Sequence, residues 1–146
     1  MGSNLGNRKQ FIDSAISALR DEKRISVKHI STIIETAPIG KSDQPDFLNC
    51  IVQCDTDMNP EELMNTLLSI EQKLGRVRRE KWGPRTIDLD ILFFDKKVID
   101  THELRIPHPE FMNRQFLKHL MNELKPQFIH PELKKSMKEL NDNDKE

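Results

Sequence analysis

The stretch Thr86-Ile87-Asp88-Leu89-Asp90-Ile91-Leu92-Phe93-Phe94 constrains the fold more than any other part of this sequence. The apolar–acidic alternation of residues 87–91 has the two-residue period of extended chain, and with the apolar run that follows it predicts a strand over residues 86–94. Asp88 and Asp90 then project together, and Ile87, Leu89 and Ile91 point the other way. Two carboxylates side by side are costly unless they are solvated or share a cation. Mg²⁺ is commonly held by one or two carboxylates plus substrate phosphates. The spacing alone fits a wet strand face equally well.

The neighbourhood adds weight to the cation. Arg76, Arg78, Arg79, Lys81 and Arg85 fall within the ten residues before this strand. Guanidinium groups for phosphate beside carboxylates for metal make a polyphosphate site; by itself such a charge run is more often a solubilising loop. Trp82, the single tryptophan, stands in this polar loop before Gly83-Pro84, as a ring-stacking surface, a lid anchor or a local packing plug. Phe47 and Asn49 share one side of another strand. An aromatic with an amide one step along can stack a flat heterocycle and read its edge, although Phe47 alone reads as core. His108 lies between two prolines, shortly before Asn113, Arg114 and Phe116. The other histidines, at 29, 102, 119 and 130, show no zinc spacing.

The scaffold reads as α+β. Residues 8–19 place Ile12, Ala15, Ile16 and Leu19 on one helical face. Residues 25–36 are rich in β-branched side chains and predict one strand; residues 47–56 alternate and predict a second, with Leu48, Cys50, Val52 and Cys54 on one side and Phe47, Asn49, Ile51 and Gln53 on the other. Asn59, Pro60 and Glu62 form a helix start, Leu63, Leu67, Ile70 and Leu74 its buried stripe, and Gly75 its stop. Residues 95–97 form a turn, 98–99 a short return, 101–109 an irregular stretch and 113–124 a last helix. Helix, strand, strand, helix, strand is the order of an α+β sandwich. One domain over residues 1–133 is expected, with a charged, frayed tail over 134–146.

Charge and cysteine count exclude other classes. With 23 Lys+Arg against 24 Asp+Glu, a general affinity for nucleic acid or an anionic membrane is not expected. No apolar run reaches the roughly 20 residues of a membrane helix, and no secretory leader pattern opens the chain. Cys50 and Cys54 on one strand lie about 13 Å apart, beyond the reach of a disulfide, so both are expected as buried thiols in a reducing cytoplasm.

Six segments in this order resemble one family, 6-hydroxymethyl-7,8-dihydropterin pyrophosphokinase. They are GSNLGNR (2–8), ETAPIG (35–40), QPDFLN (44–49), IEQKLGRVR (70–78), WGPRTIDLDILFF (82–94) and IPHPEFMNRQF (106–116). The resemblance implies a ferredoxin-like α/β sandwich with an antiparallel sheet. It implies transfer of pyrophosphate from ATP to the pterin hydroxymethyl group, with AMP released, in folate biosynthesis. Two Mg²⁺ ions would be held by Asp88 and Asp90. Thr36, Pro38, Phe47, Asn49, Trp82 and Phe116 would form the pterin pocket. Glu71, Arg78, Trp82, Arg85, Ile91, His108 and Arg114 would face ATP. Arg76, Arg78 and Arg85 resemble the family's mobile catalytic loop, with Arg76 and Arg85 acting on the transferring group. A cytoplasmic monomer is expected.

Three departures from the family pattern stand out. The basic loop between Arg79 and Trp82 is shorter than in some relatives. Leu68 stands where many carry a glutamine. Relatives have an apolar strand before GSNLGNR, whereas only Met1 precedes it here, so the scaffold is expected to lack the family's first strand. An inactive truncated homologue is therefore one alternative. A nucleic-acid-binding module using Phe47, Trp82 and the arginine loop is another, opposed by the neutral charge and the 5% aromatic content.

Overall fold

The computed structural model describes residues 1–38, 43–75 and 86–143. They divide into two compact units, Met1–Asp90 and Ile91–Glu146.

The first unit opens with a two-residue strand, β1 (Gly2–Ser3), and helix α1 (Arg8–Asp21). The Asn7 side chain caps α1 by accepting from the Gln10 N–H at 3.2 Å. Its inner face is Ile12, Ala15 and Leu19. Strands β2 (Ile25–Ile30), β3 (Ile34–Thr36), β4 (Phe47–Asn49) and β5 (Val52–Thr56) precede helix α2 (Pro60–Lys73). The expected capping box at Asn59 and Glu62 is present in both directions. Gly75, at φ +87°, takes the left-handed turn that ends the helix.

Each of the two long strands expected from the sequence is divided in two. β2 pairs with β5 in one antiparallel ladder, and β1-β4-β3 form another. The division falls at Ser31 and at Cys50-Ile51. Ile51 N–H donates to Ser31 Oγ at 2.8 Å and Ser31 N–H to Ile51 O at 2.9 Å. Cys50 instead exchanges hydrogen bonds with Met1, at 2.7 and 3.1 Å. Successive residues thus turn their backbones toward different partners, and both side chains go inside, Cys50 at 1% exposure and Ile51 at 7%. The expected alternation fails there because β1 competes for the same strand.

The expected strand over 86–94 is also corrected. Only Asp88 joins a ladder, as an isolated bridge to Gly2. Ile87 and Leu89 are nevertheless buried, Asp88 half-buried and Asp90 exposed. The alternation reads out burial, not regular pairing.

In the second unit, β6 (Ile99–Asp100) and β7 (Arg105–Ile106) form a small hairpin. A 3₁₀ turn, Phe111–Asn113, leads into α3 (Gln115–Leu124). Phe93 meets Phe111 and Phe128 edge-on at 4.8 and 5.1 Å. The tail does not simply fray: α4 (Met137–Asn143) forms, with Met137 and Leu140 buried. Ser136 and Glu139 make reciprocal hydrogen bonds at its start, an S-x-x-E capping box inside a stretch whose charge masks it. Among the described residues, no helix is long and apolar enough to cross a membrane.

Candidate functional site

The site is built around Gly2. Its N–H donates to Asp88 O at 2.9 Å, and its carbonyl accepts from Asp88 N–H at 2.8 Å. On its other side Gly2 stands opposite Asn49 in β4. Residues paired across an antiparallel ladder share a face. Asn49 and Asp88 therefore lie on one side of the sheet, with the glycine between them. A hydrogen-bonded pair spans about 5.5 Å and a non-bonded pair about 4.5 Å, so their Cα atoms are roughly 10 Å apart.

Phe47, two residues before Asn49, is on the same face, and Thr36 pairs with it in β3. The Asn49 amide donates from Nδ2 to Thr36 Oγ1 at 2.5 Å. Its carbonyl oxygen occupies the space beside Gly2: a Cβ added there would meet Asn49 Oδ1 at 2.6 Å. Glycine is required because the amide takes the room a side chain would need. Gly2 is the site residue that sequence reasoning missed, since nothing in GSN alone reveals its neighbours.

The approach to this face is held by the turn after β1. Asn4, 1% exposed, donates from Nδ2 to Gln44 Oε1 at 2.8 Å and to Pro45 O at 3.0 Å. Arg8 donates to Asp46 O at 2.9 Å and pairs with Glu35 at 3.1 Å. The GSNLGNR and QPDFLN motifs are thus parts of one structure.

The acidic edge is fixed from below. Glu71 of α2, 2% exposed, accepts the Leu89 N–H at 2.7 Å. Ile87 and Leu89 anchor the segment in the core at 0% and 8% exposure. Asp88 and Asp90 are hard oxygen donors two residues apart on the outward side. Among the described residues no group of three or more His, Cys, Asp or Glu could hold a metal alone. That donor set fits Mg²⁺, which takes one or two carboxylates and keeps water and phosphate for its remaining positions.

Of the other expected site residues, Pro38 is half-buried in the first unit. Ile91, His108, Arg114 and Phe116 belong to the second. His108 Nδ1 accepts the Glu110 N–H at 3.1 Å, which leaves Nε2 as the protonated nitrogen of the neutral ring. Arg114 Nε is buried with no hydrogen-bond partner. Arg76, Arg78, Trp82 and Arg85 lie outside the described residues. The two cysteines are free. Burial raises the pKa of both thiols; Cys54, expected buried, is only half-buried.

Fold and face together define the class: an α+β protein whose aromatic–amide sheet face shares a row with Asp88, the first of two closely spaced carboxylates. Comparison with known proteins narrows it. The family model for 7,8-dihydro-6-hydroxymethylpterin-pyrophosphokinase (HPPK) matches residues 1–126, and the chain belongs to that family. A 2-amino-4-hydroxy-6-hydroxymethyldihydropteridine pyrophosphokinase of Bacillus subtilis (strain 168) is 43% identical over 117 residues, 80% of this chain and 70% of the relative. The protein of that name from Aquifex aeolicus (strain VF5) is 39% identical over 139 residues, 95% of this chain and 86% of the relative. Folic acid synthesis protein fol1 of Pneumocystis carinii is 40% identical over 131 residues, 90% of this chain but 18% of that longer protein.

Proposed function

We propose that this chain transfers pyrophosphate from ATP to the hydroxymethyl group of 6-hydroxymethyl-7,8-dihydropterin, in folate biosynthesis. The observation that carries the reading is the single sheet row Asn49–Gly2–Asp88, which sets an amide for a heterocycle beside a carboxylate for a phosphate-bound cation. Family membership supplies the reaction.

In this reading Phe47 stacks the pterin, with Phe116 as the opposing ring. Asn49, oriented by Thr36, reads the ring edge; Pro38 and Trp82 complete the pocket. Glu71, Arg78, Trp82, Arg85, Ile91, His108 and Arg114 serve the ATP side. The buried, unpartnered Nε of Arg114 supports an anion there. Asp88 and Asp90 would hold two Mg²⁺ ions, which when bound neutralise phosphate charge and polarise the transferring group. The hydroxymethyl oxygen attacks the β-phosphorus and gives up its proton to solvent. The bond from the β-phosphorus to the bridging oxygen breaks, and AMP leaves with that oxygen and its electron pair. Arg76 and Arg85 offset charge on the transferring group. The chain's work is positioning and electrostatics, with no covalent nucleophile. A ferredoxin-like arrangement, a monomeric state and a cytoplasmic location belong to the same proposal.

The test is incubation with ATP, Mg²⁺ and the hydroxymethyldihydropterin. Release of AMP with the pterin pyrophosphate ester is expected. A folded chain that binds ATP and the pterin yet yields no AMP would sink the reading.

A further inference from the structure

The segment bearing both carboxylates has little ladder of its own. Among the described residues, the backbone of residues 88–90 is held by the two hydrogen bonds between Asp88 and Gly2 and by the Leu89 N–H donated to Glu71. The third lies between the two acids in sequence. Leu89 faces the core, so its amide points along the sheet plane, where a neighbouring strand's carbonyl would ordinarily accept it. Here a carboxylate from α2 takes that place at 2.7 Å, in the range of a charge-assisted bond. Helix α2 is itself fixed by its capping box and by Leu67 and Ile70 in the core. The carboxylate therefore stands on a rigid support.

We propose that Glu71 is a positioning residue for the acidic pair: by holding the Leu89 amide it fixes the peptide that joins Asp88 to Asp90, and so the spacing and direction of the two carboxylates. This rests on the assignment of Asp88 and Asp90 to metal. Glu71 then serves the ATP side through the Leu89 backbone. Partners that orient ligands to a metal typically change its affinity about 10- to 100-fold when removed.

Three changes separate the possibilities. Glu71→Leu removes the acceptor at similar volume. Glu71→Gln keeps an acceptor oxygen and drops the charge. An ester in place of the Leu89 amide deletes the donor while leaving Glu71 intact. The readouts are amide exchange at Leu89 without metal or nucleotide, and Mn²⁺ affinity in the presence of a non-hydrolysable ATP analogue. In the unaltered protein the Leu89 amide is slow to exchange. Glu71→Leu speeds it and weakens Mn²⁺ binding about 10-fold or more; the ester at Leu89 gives the same Mn²⁺ loss, and Glu71→Gln restores most of the affinity. Should Glu71→Leu not fold, the ester and Glu71→Gln still decide. A rapidly exchanging Leu89 amide, unaltered Mn²⁺ affinity in the ester protein, or a Glu71→Gln loss as large as that of Glu71→Leu each overturns the proposal. Asp88→Asn is the separate control: if it leaves Mn²⁺ affinity unchanged, the metal assignment fails, whatever Leu89 exchange shows.

Discussion

At the scale of single residues, Gly2 and the acidic pair carry the sharpest consequences. Gly2→Ala places a Cβ 2.6 Å from Asn49 Oδ1. Either the amide turns away from Thr36 or the strand shifts from Asp88. Overpacking of this kind costs about 1–3 kcal/mol. Pterin affinity measured by titration should fall together with stability; unchanged affinity would mean that Asn49 does not read the pterin. Asp88→Ala and Asp90→Ala behave oppositely. Asp90 is exposed and Asp88 half-buried, and neither truncation opens a core cavity, so each is expected to cost about 1 kcal/mol of stability or less. Loss of a metal ligand removes several kcal/mol of transition-state stabilisation, about a thousandfold in rate. AMP release beside a thermal melt checks the split. The acidic pair was legible in sequence because its signal is local. Gly2 was not, because its neighbours come from residues 49 and 88.

At the scale of elements, the turn that joins α3 to α4 depends on His130. Its ring meets Phe93 edge-on at 5.5 Å. Its Nδ1 accepts the N–H groups of Glu132 and Leu133 at 3.2 and 3.1 Å. Burial lowers its pKa below the ordinary 6.5, partly opposed by Glu132. A histidine with a folded pKa below its unfolded one stabilises the fold above the unfolded value. That contribution is lost as pH falls from about 6.5 toward the folded pKa, because the unfolded chain binds the proton more readily. Melting temperature should therefore drop between pH 7 and 5, and the drop should shrink in His130→Ala, itself destabilised by about 1–3 kcal/mol. Equal pH slopes in the two proteins would show that another group dominates. The helix read over 8–19, which runs on to Asp21, and the helix that begins after Asn59 were readable in advance, the first from its apolar stripe and the second from its cap and stripe, all local signals. α4 was missed because seven residues with a polar majority carry almost no apolar pattern, and its capping box only has effect once Met137 and Leu140 have a core to enter.

At the scale of the whole molecule, the two thiols report on how the first unit holds together. Cys50 is 1% exposed and its thiol pKa is raised by burial. A neutral disulfide reagent should modify Cys54 first, and Cys50 only at the rate of unfolding. Reaction of Cys50 before unfolding would mean that the pairing of Met1 with Cys50 opens readily. By itself the sequence determined the α+β class, the capped second helix and the opposite facing of Ile87 and Leu89 against Asp88 and Asp90. Each follows from side-chain periodicity or end chemistry within one turn or one strand. Only the tertiary structure decided that residues 25–36 and 47–56 each serve two ladders, that 86–94 pairs at one residue, and that Gly2 joins Asn49 to Asp88. Those are choices of backbone partner, and every backbone carries the same donor and acceptor. A hydrogen-bond partner 40 or 80 residues away leaves no mark on local pattern until the chain has folded.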